Sequence, residues 1–155
     1  MEIRCNISSV GFGISEAKHG LHVHTFGILN PSENDTISKF LLHKNIFFVI
    51  YFFAGCGSSG SHFNPFGLTH GNVSDTIKHL GDYGNVKSEN RLIVQIFNDY
   101  MSKLSGKFSI IGRTIVLHKL EDDLGLGNNS ESKLTGNSGS RIACGVIGLS
   151  ERKIK

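Results

Sequence analysis

Residues 60–86 read GSHFNPFGLTHGNVSDTIKHLGDYGNV, a stretch that is small, polar and rich in turn-forming residues. Its glycines and its single proline interrupt any helical or strand period. The stretch also contains four potential metal ligands, which are His62, His70, His79 and Asp82. Three imidazoles and one carboxylate form a complete tetrahedral ligand set for zinc, and a bound ion can order a loop that has no core of its own. The first hypothesis is therefore a metal-organised loop.

The composition around this loop is that of an ordinary globular protein. The 155 residues are 39% hydrophobic and 19% charged, which is sufficient for one domain, residues 1–155, with its own core. The formal net charge is only +3, and the Lys and Arg residues are scattered along the chain. A surface that binds nucleic acid needs clustered basic residues, so no nucleic-acid partner is expected.

The cysteines and the N-terminal residues predict the cellular compartment of the protein. Cys5, Cys56 and Cys144 are too few for a secreted disulfide scaffold, although one disulfide and one free thiol are possible. The opening residues MEIRCNISSVGFG contain no apolar run of the kind found in signal peptides. We therefore expect a cytoplasmic address.

Short apolar segments alternate with long loops in most of the chain. Residues 20–26 predict a strand that places His22 and His24 on one face, because the two residues are two positions apart. Further strands are predicted at residues 92–97, 108–120 and 141–149, with a polar loop at residues 121–139. Residues 1–20 are poorly patterned, and no segment has a convincing helical stripe. The pattern favours an all-β sandwich or barrel.

Residues 28–53 depart from that pattern. A polar, turn-like half is followed by an apolar run from Ile46 to Ala54. This run is too short to cross a bilayer, which takes about 20 apolar residues, so no membrane partner is expected. It is consistent with a buried strand, and it would be prone to aggregation if it were exposed.

Six motifs in order resemble the copper/zinc superoxide dismutase family. They cover residues 15–27 and 54–150 and read GLHVHTFG, AGCGSSGSHFNP, HG, KHLGDYGNV, IIGRTIVLHKLEDDLG and TGNSGSRIACGVIGL. The resemblance implies an antiparallel Greek-key β-sandwich or flattened barrel with long metal-binding and electrostatic loops. It implies an oxidoreductase that converts superoxide to dioxygen and hydrogen peroxide with copper and zinc, works as a homodimer and is loaded by a copper chaperone.

The same resemblance assigns the site residues. Copper would be bound by His22, His24, His62 and His118, and zinc by His62, His70, His79 and Asp82. His62 would bridge the metals and, with Arg141, act in catalysis, since the guanidinium would attract the superoxide anion. The remaining matches are Asp122 as the acid that links a copper-ligand ring to a zinc-ligand ring, Cys56 and Cys144 as a disulfide, His19 as a structural histidine, and Cys5 as a free thiol, while His43 matches nothing.

Three departures from the family pattern accompany these matches. Only about twenty residues precede His22, so the first strands are expected to be missing and sheet edges to be exposed. Residues 28–53 replace a shorter connection and resemble translated non-coding sequence, which leaves a retained intron, a faulty gene model or a genuine insertion open. Leu134 stands where the family usually has a lysine. The alternatives to an active enzyme are a non-catalytic metal-binding module of the same fold and a truncated, mis-spliced product without activity.

Overall fold

The computed structural model describes residues 2–8, 14–27, 36–41, 47–52, 56–90 and 92–148, and it is nearly all-β. Within these ranges lie eight strands, a 3-10 turn at Cys56–Ser59 and a one-turn helix, α1, at Ser132–Thr135. The strands are β1 (Glu2–Ser8), β2 (Lys18–His24), β3 (Thr36–Leu41), β4 (Phe47–Phe52), β5 (Asp82–Glu89), β6 (Leu92–Asn98), β7 (Thr114–His118) and β8 (Arg141–Val146). No helix in these ranges is long and apolar enough to cross a membrane.

The strands form one closed antiparallel barrel in the order β1-β3-β4-β8-β7-β2-β5-β6. Strand β2 lies between β7 and β5, so it is held by a neighbour on each side. Every residue of β2 except Lys18 is buried. This all-β architecture confirms the fold class that the sequence predicts, and it makes β2 a rigid support for the side chains it carries.

The two faces of β2 carry different kinds of side chain. Leu21 and Val23 point into the hydrophobic core, where they join residues such as Ile115 and Leu117 of β7. Because side chains alternate along a strand, His22 and His24 point to the opposite face. Both histidines are nevertheless buried, at 0% and 1% exposure, so other chain segments must cover that face.

Most predicted strands are present with changed ends. Strand β6 corresponds to the prediction for residues 92–97, and β8 to the first part of residues 141–149. The prediction for residues 108–120 is too long, because only Thr114–His118 is a strand. Residues 110–113 form a turn instead, in which the Arg113 N–H donates to the Ile110 carbonyl and Gly112 has a positive φ of 79°. Glycine adopts that conformation without steric cost.

The prediction of exposed sheet edges is corrected by two elements, although β1 alone precedes β2 in the described residues. Strand β1 lies in the poorly patterned segment and pairs with β6 through seven registered residues. The segment assigned to an insertion supplies β3 and β4, a hairpin with six registered pairs. Arg4↔Leu41 joins the hairpin to β1, and Tyr51↔Cys144 joins it to β8. These two pairings close the sheet, which therefore has no free edge at this point.

Candidate metal centre

The predicted copper ligands come together on the outer face of β2. The His22 and His24 rings lie there, His118 reaches them from the end of β7, and His62 forms an isolated β-bridge with His24. One nitrogen from each of the four rings lies within 4.8 Å of the others, and all four residues are buried. The His24 Nε2 and His118 Nε2 atoms are 3.3 Å apart. Four converging imidazoles suit copper or zinc.

Hydrogen bonds determine which ring nitrogen faces the cluster. His24 Nδ1 donates to the Gly60 carbonyl at 2.8 Å, and His118 Nδ1 donates to the Gly139 carbonyl at 2.9 Å. A carbonyl oxygen only accepts, so each Nδ1 carries the proton and each Nε2 keeps its lone pair. His24 and His118 are thereby fixed in the tautomer that offers Nε2 to a metal.

The predicted zinc ligands also converge, around Asp82 at the start of β5. Asp82 Oδ1 lies 2.9 Å from His62 Nδ1 and 3.3 Å from His79 Nδ1, and Asp82 Oδ2 lies 3.0 Å from His70 Nδ1. His79 Nδ1 is 3.4 Å from His62 Nδ1. A second set of atoms within 4.8 Å joins His22, His62, His70 and Asp82, so His22 and His62 take part in both clusters.

These residues fit two metal ions. His22 Nδ1, His62 Nε2 and His70 Nδ1 are buried without a hydrogen-bond partner, which is costly unless something else binds them. The 3.0 Å from His70 Nδ1 to Asp82 Oδ2 is short enough for an ion pair but does not have hydrogen-bond geometry. Ligands that hold zinc tetrahedrally at about 2.0 Å lie about 3.3 Å from one another. The separations around Asp82, from 2.9 to 3.4 Å, have that spacing.

Asp122 joins the two clusters. Its Oδ2 accepts from His22 Nε2 at 2.7 Å, and its Oδ1 accepts from His70 Nε2 at 2.8 Å. Each ring therefore turns its Nδ1 toward a cluster. Asn85 in turn fixes Asp122, since its amide donates to the Asp122 carbonyl and its Oδ1 accepts from the Asp122 N–H, both at 2.7 Å. One carboxylate thus orients a ring of each set.

Replacing Asp122 with alanine is expected to raise the zinc dissociation constant by about 10–100-fold, the usual cost of losing the group that orients a ligand histidine. Competition with a chromogenic chelator measures this constant. Glu121→Ala is the matched control, because Glu121 is exposed and pairs only with Lys18 among its ion pairs in the described residues. An Asp122→Ala protein that holds zinc within twofold of the parent would contradict the expectation.

The pKa shifts of the metal-free site favour ligation at His118 and Asp82 and oppose it at His70. Burial lowers the pKa of His118 to about 4, so its imidazole is neutral at physiological pH. Burial alone would raise the pKa of Asp82, but its close contacts with the ring nitrogens of His62, His70 and His79 hold it well below its usual value. Burial would also lower the pKa of His70, yet its hydrogen bond to Asp122 and its ion pair with Asp82 raise it to about 9. Metal binding at His70 must therefore displace a proton.

Arg141 projects from the start of β8 into a cavity of about 850 Å³ that His24, His62 and His118 also line. Its Nη1 donates to the Cys56 carbonyl at 2.8 Å, and its Nη2 donates to the Gly60 carbonyl at 2.6 Å. Several donors on one planar fork hold the guanidinium in a fixed orientation. The structure thus places a fixed positive charge beside the four-histidine cluster.

A disulfide between Cys56 and Cys144 confirms the pairing that the sequence resemblance implies. The two residues are 88 positions apart, and both are buried. The bond ties the 3-10 turn at Cys56–Ser59 to β8, and the same turn supplies the carbonyls that hold Arg141. The disulfide therefore supports the position of the arginine as well as the fold.

The mouth of the cavity has an uneven charge distribution. Leu134 lines it with 60% of its surface exposed, next to Glu131 and Thr135. The neighbouring Lys133 does not replace the family's lysine there, because its Nζ donates to the Gly125 carbonyl. Among the described residues that line this cavity, Arg141 is the one lysine or arginine, so its charge is the one that faces an approaching anion.

Sequence reasoning missed three residues that shape the site. Asn85 clamps Asp122, and Lys78 is fully buried beside His79. Gly136 has a positive φ of 67°, and a Cβ there would overlap Asp122 Oδ1 and lie 2.5 Å from His70 Nε2. The glycine inside TGNSG was a visible signal of a special backbone position. No local signal marked the other two, because their partners lie elsewhere in the chain or on the main chain.

Comparison with known proteins gives a consistent picture. The family model of copper/zinc superoxide dismutase (SODC) matches residues 2–147. The chain is 45% identical over 147 residues to superoxide dismutase (Cu-Zn) 5 of Dictyostelium discoideum, covering 94% of this chain and 81% of that protein. It is 43% identical over 134 residues to superoxide dismutase (Cu-Zn) of Saccharomyces cerevisiae, covering 86% and 72%. It is 41% identical over 138 residues to extracellular superoxide dismutase (Cu-Zn) of Drosophila melanogaster, covering 88% and 64%.

Proposed function

This chain belongs to the copper/zinc superoxide dismutase family, and on that premise we propose that residues 1–155 form one domain in which the residues described above dismutate superoxide. Two superoxide ions and two protons yield one dioxygen and one hydrogen peroxide. When bound, copper supplies the one-electron oxidation and reduction, and zinc supplies a redox-inert positive charge. The observation that carries the proposal is the sharing of His62 between two clusters of buried ligand atoms.

His62 is the residue that links the two clusters chemically. Its Nδ1 lies among the zinc ligands, 2.9 Å from Asp82 Oδ1, while its Nε2 is buried without a hydrogen-bond partner. The residue also lines the cavity that contains Arg141. We assign His62 Nε2 the role of holding the proton that is released to the reduced oxygen species. Asp82 keeps the ring in place during that transfer.

Arg141 binds and orients the substrate anion in this proposal. Its guanidinium lines the cavity with His62, and burial of part of the side chain against the 3-10 turn prevents it from swinging away. A fixed positive charge in a cleft raises the local concentration of a small anion. The residue thus acts on the approach and positioning of superoxide.

Substitution of Arg141 by alanine is expected to lower kcat/KM by about tenfold and to flatten its dependence on ionic strength, because electrostatic steering of an anion is screened by salt. Dismutation rates measured from low to high ionic strength test this. Arg141→Lys is the matched variant: it keeps the charge and should keep the salt dependence, although it loses the fork that fixes the orientation. An alanine variant with the parent's rate and salt dependence would remove Arg141 from the mechanism.

Dismutation by purified protein loaded with both metals is the direct test of the function. Activity that requires copper is expected. A soluble, metal-replete protein without copper-dependent activity would overturn the proposal and favour the alternative, a non-catalytic metal-binding module. That alternative is not favoured, because such a module needs neither a shared His62 nor Arg141 in the cavity. The truncated-product alternative is not favoured either, since the unusual segment supplies two strands of the barrel.

We also propose that the enzyme is a cytoplasmic homodimer loaded by a copper chaperone. The dimer and the chaperone are proposed from membership of the copper/zinc superoxide dismutase family. Three cysteines are too few for a secreted disulfide scaffold, and burial protects the Cys56–Cys144 disulfide from the reductants of the cytoplasm. Light scattering of the purified protein tests the dimer, and cell fractionation tests the address. Recovery from the medium would instead place it with relatives named extracellular, such as that of Drosophila melanogaster.

A further inference from the structure

Lys78 is fully buried, with 0% of its surface exposed. A buried ammonium group loses its hydration, and lysine is almost never buried unless its charge and its donors are satisfied. The residue precedes His79 directly and is not itself a predicted metal ligand. Its burial therefore requires an explanation that the proposed chemistry does not give.

The Lys78 ammonium is hydrogen-bonded to the main chain of the zinc-binding turn. Its Nζ donates to the His79 carbonyl at 3.0 Å and to the Asp82 carbonyl at 3.3 Å. The turn is also closed by its own bonds, because the Asp82 N–H donates to the His79 carbonyl at 3.1 Å and the His79 N–H donates to Asp82 Oδ2 at 2.9 Å. Lys78 thus connects the main chains of the two ligand residues.

The zinc-binding turn is also linked to the connection after β6, which carries a buried carboxylate, Asp99. Burial lowers the pKa of the Lys78 ammonium, and Asp99 opposes that shift more strongly than Asp82 or Asp75 does. Asp99 is 1% exposed, and its Oδ1 accepts from the Ser102 N–H at 3.3 Å. Ser102 Oγ in turn contacts the Leu80 carbonyl, at 3.4 Å, inside the same turn. The turn is therefore attached to a part of the chain that carries no metal ligand.

We propose that Lys78 is a positioning residue that sets zinc affinity by holding the His79–Asp82 turn, which Ser102 and Asp99 attach to the connection after β6. The inference rests on the proposed assignment of His79 and Asp82 as zinc ligands. Metal affinity depends on the separation of the ligand atoms, and His79 Nδ1 and Asp82 Oδ1 are 3.3 Å apart. Groups that orient ligands contribute about 10–100-fold to metal affinity.

A positioning role and a purely stabilising role predict different combinations of zinc affinity and melting temperature when the side chain is replaced. Replacing both members of a buried charge pair by neutral residues of similar volume is often neutral or stabilising for the metal-free fold, whereas removing one member alone is destabilising. The double variant Lys78→Met/Asp99→Asn removes the donors to both carbonyls and the buried carboxylate charge while it retains most of the side-chain volume. If Lys78 positions the turn, zinc affinity falls although the metal-free protein melts at the same or a higher temperature. If Lys78 only stabilises the fold, both quantities fall together.

The test compares the parent chain with Lys78→Met, Asp99→Asn, their double variant and the control Lys87→Met. Lys87 is exposed and pairs with Glu89 on β5, so it matches Lys78 in type but not in environment. The zinc dissociation constant of the metal-free protein is measured by competition with a chromogenic chelator. We expect the zinc dissociation constant to rise about 10–100-fold in Lys78→Met. In Asp99→Asn it should rise by about 3–10-fold, a fraction of that effect. In the exposed control it should change by less than about twofold.

The visible absorption spectrum of one equivalent of Co²⁺ gives a second readout that a stabilising role would not change. Altered band positions or intensities in Lys78→Met support a displaced ligand turn. Parent-like zinc affinity and cobalt spectra in both Lys78 variants overturn the inference. If Lys78→Met does not fold, the double variant decides, since it removes the Lys78 donors without leaving the Asp99 charge unpaired. A parent protein that binds no zinc would contradict the proposed zinc site itself, which distinguishes that failure from a failure of Lys78.

Discussion

Alanine in place of His62 is expected to reduce dismutation by at least about 100-fold and to weaken both metal sites. The loss exceeds that of a residue that only orients a ligand, which is about 10–100-fold, because His62 is a predicted ligand itself and belongs to both clusters. The variant removes the Nδ1 atom beside Asp82 and the buried Nε2 atom on the cavity side. It also removes the proposed proton donor, so activity should remain low even in protein saturated with metals.

The measurement needs metal content and activity on the same samples. His43→Ala is the control, because the sequence assigns His43 to no site, and it should retain parent-like activity. A His62→Ala protein that binds both metals and dismutates superoxide at the parent's rate would show that the clusters work independently. A variant that loses activity but binds both metals with parent affinity would place the role of His62 in proton transfer alone.

Loss of the Cys56–Cys144 disulfide is expected to lower the free energy of unfolding by about 4–5 kcal/mol. A crosslink between residues 88 positions apart restricts the unfolded chain strongly, and the entropy of that closed loop gives this magnitude. For a chain of this length, each 1 kcal/mol shifts the melting temperature by about 2–4 °C. Cys56→Ser/Cys144→Ser should therefore melt about 10–15 °C below the parent when both are metal-free.

Activity should decline with the disulfide even in samples that remain folded. The 3-10 turn would no longer be tied to β8, and the carbonyls of Cys56 in that turn and of Gly60 directly after it hold the Arg141 guanidinium. Calorimetry and dismutation assays on the same metal-loaded variant separate the two effects. Cys5→Ser controls for the removal of a cysteine that is not in this disulfide. A double variant with the melting temperature of the parent would contradict the stabilising role.

The predicted metal ligands could be named from the sequence because they lie in motifs that resemble those of the family. His22 and His24 share a face of β2, as their spacing of two requires of any strand. The motifs that contain His62, His70, His79 and Asp82 were recognisable by residue type and order. Most strand positions followed from apolar and β-branched runs, and the errors at residues 110–113 arose where a turn conformation overrode those propensities.

The sequence by itself determined the ligand types, their order and an all-β class, since each depends on neighbouring residues and a strand period of two. Only the tertiary structure decided that residues 36–41 and 47–52 close the barrel, because the pairings Arg4↔Leu41 and Tyr51↔Cys144 join residues far apart in the chain. It likewise decided which ring nitrogen faces each cluster. That choice depends on hydrogen-bond partners such as Gly60, Gly139 and Asp122, which the fold alone brings to the histidines.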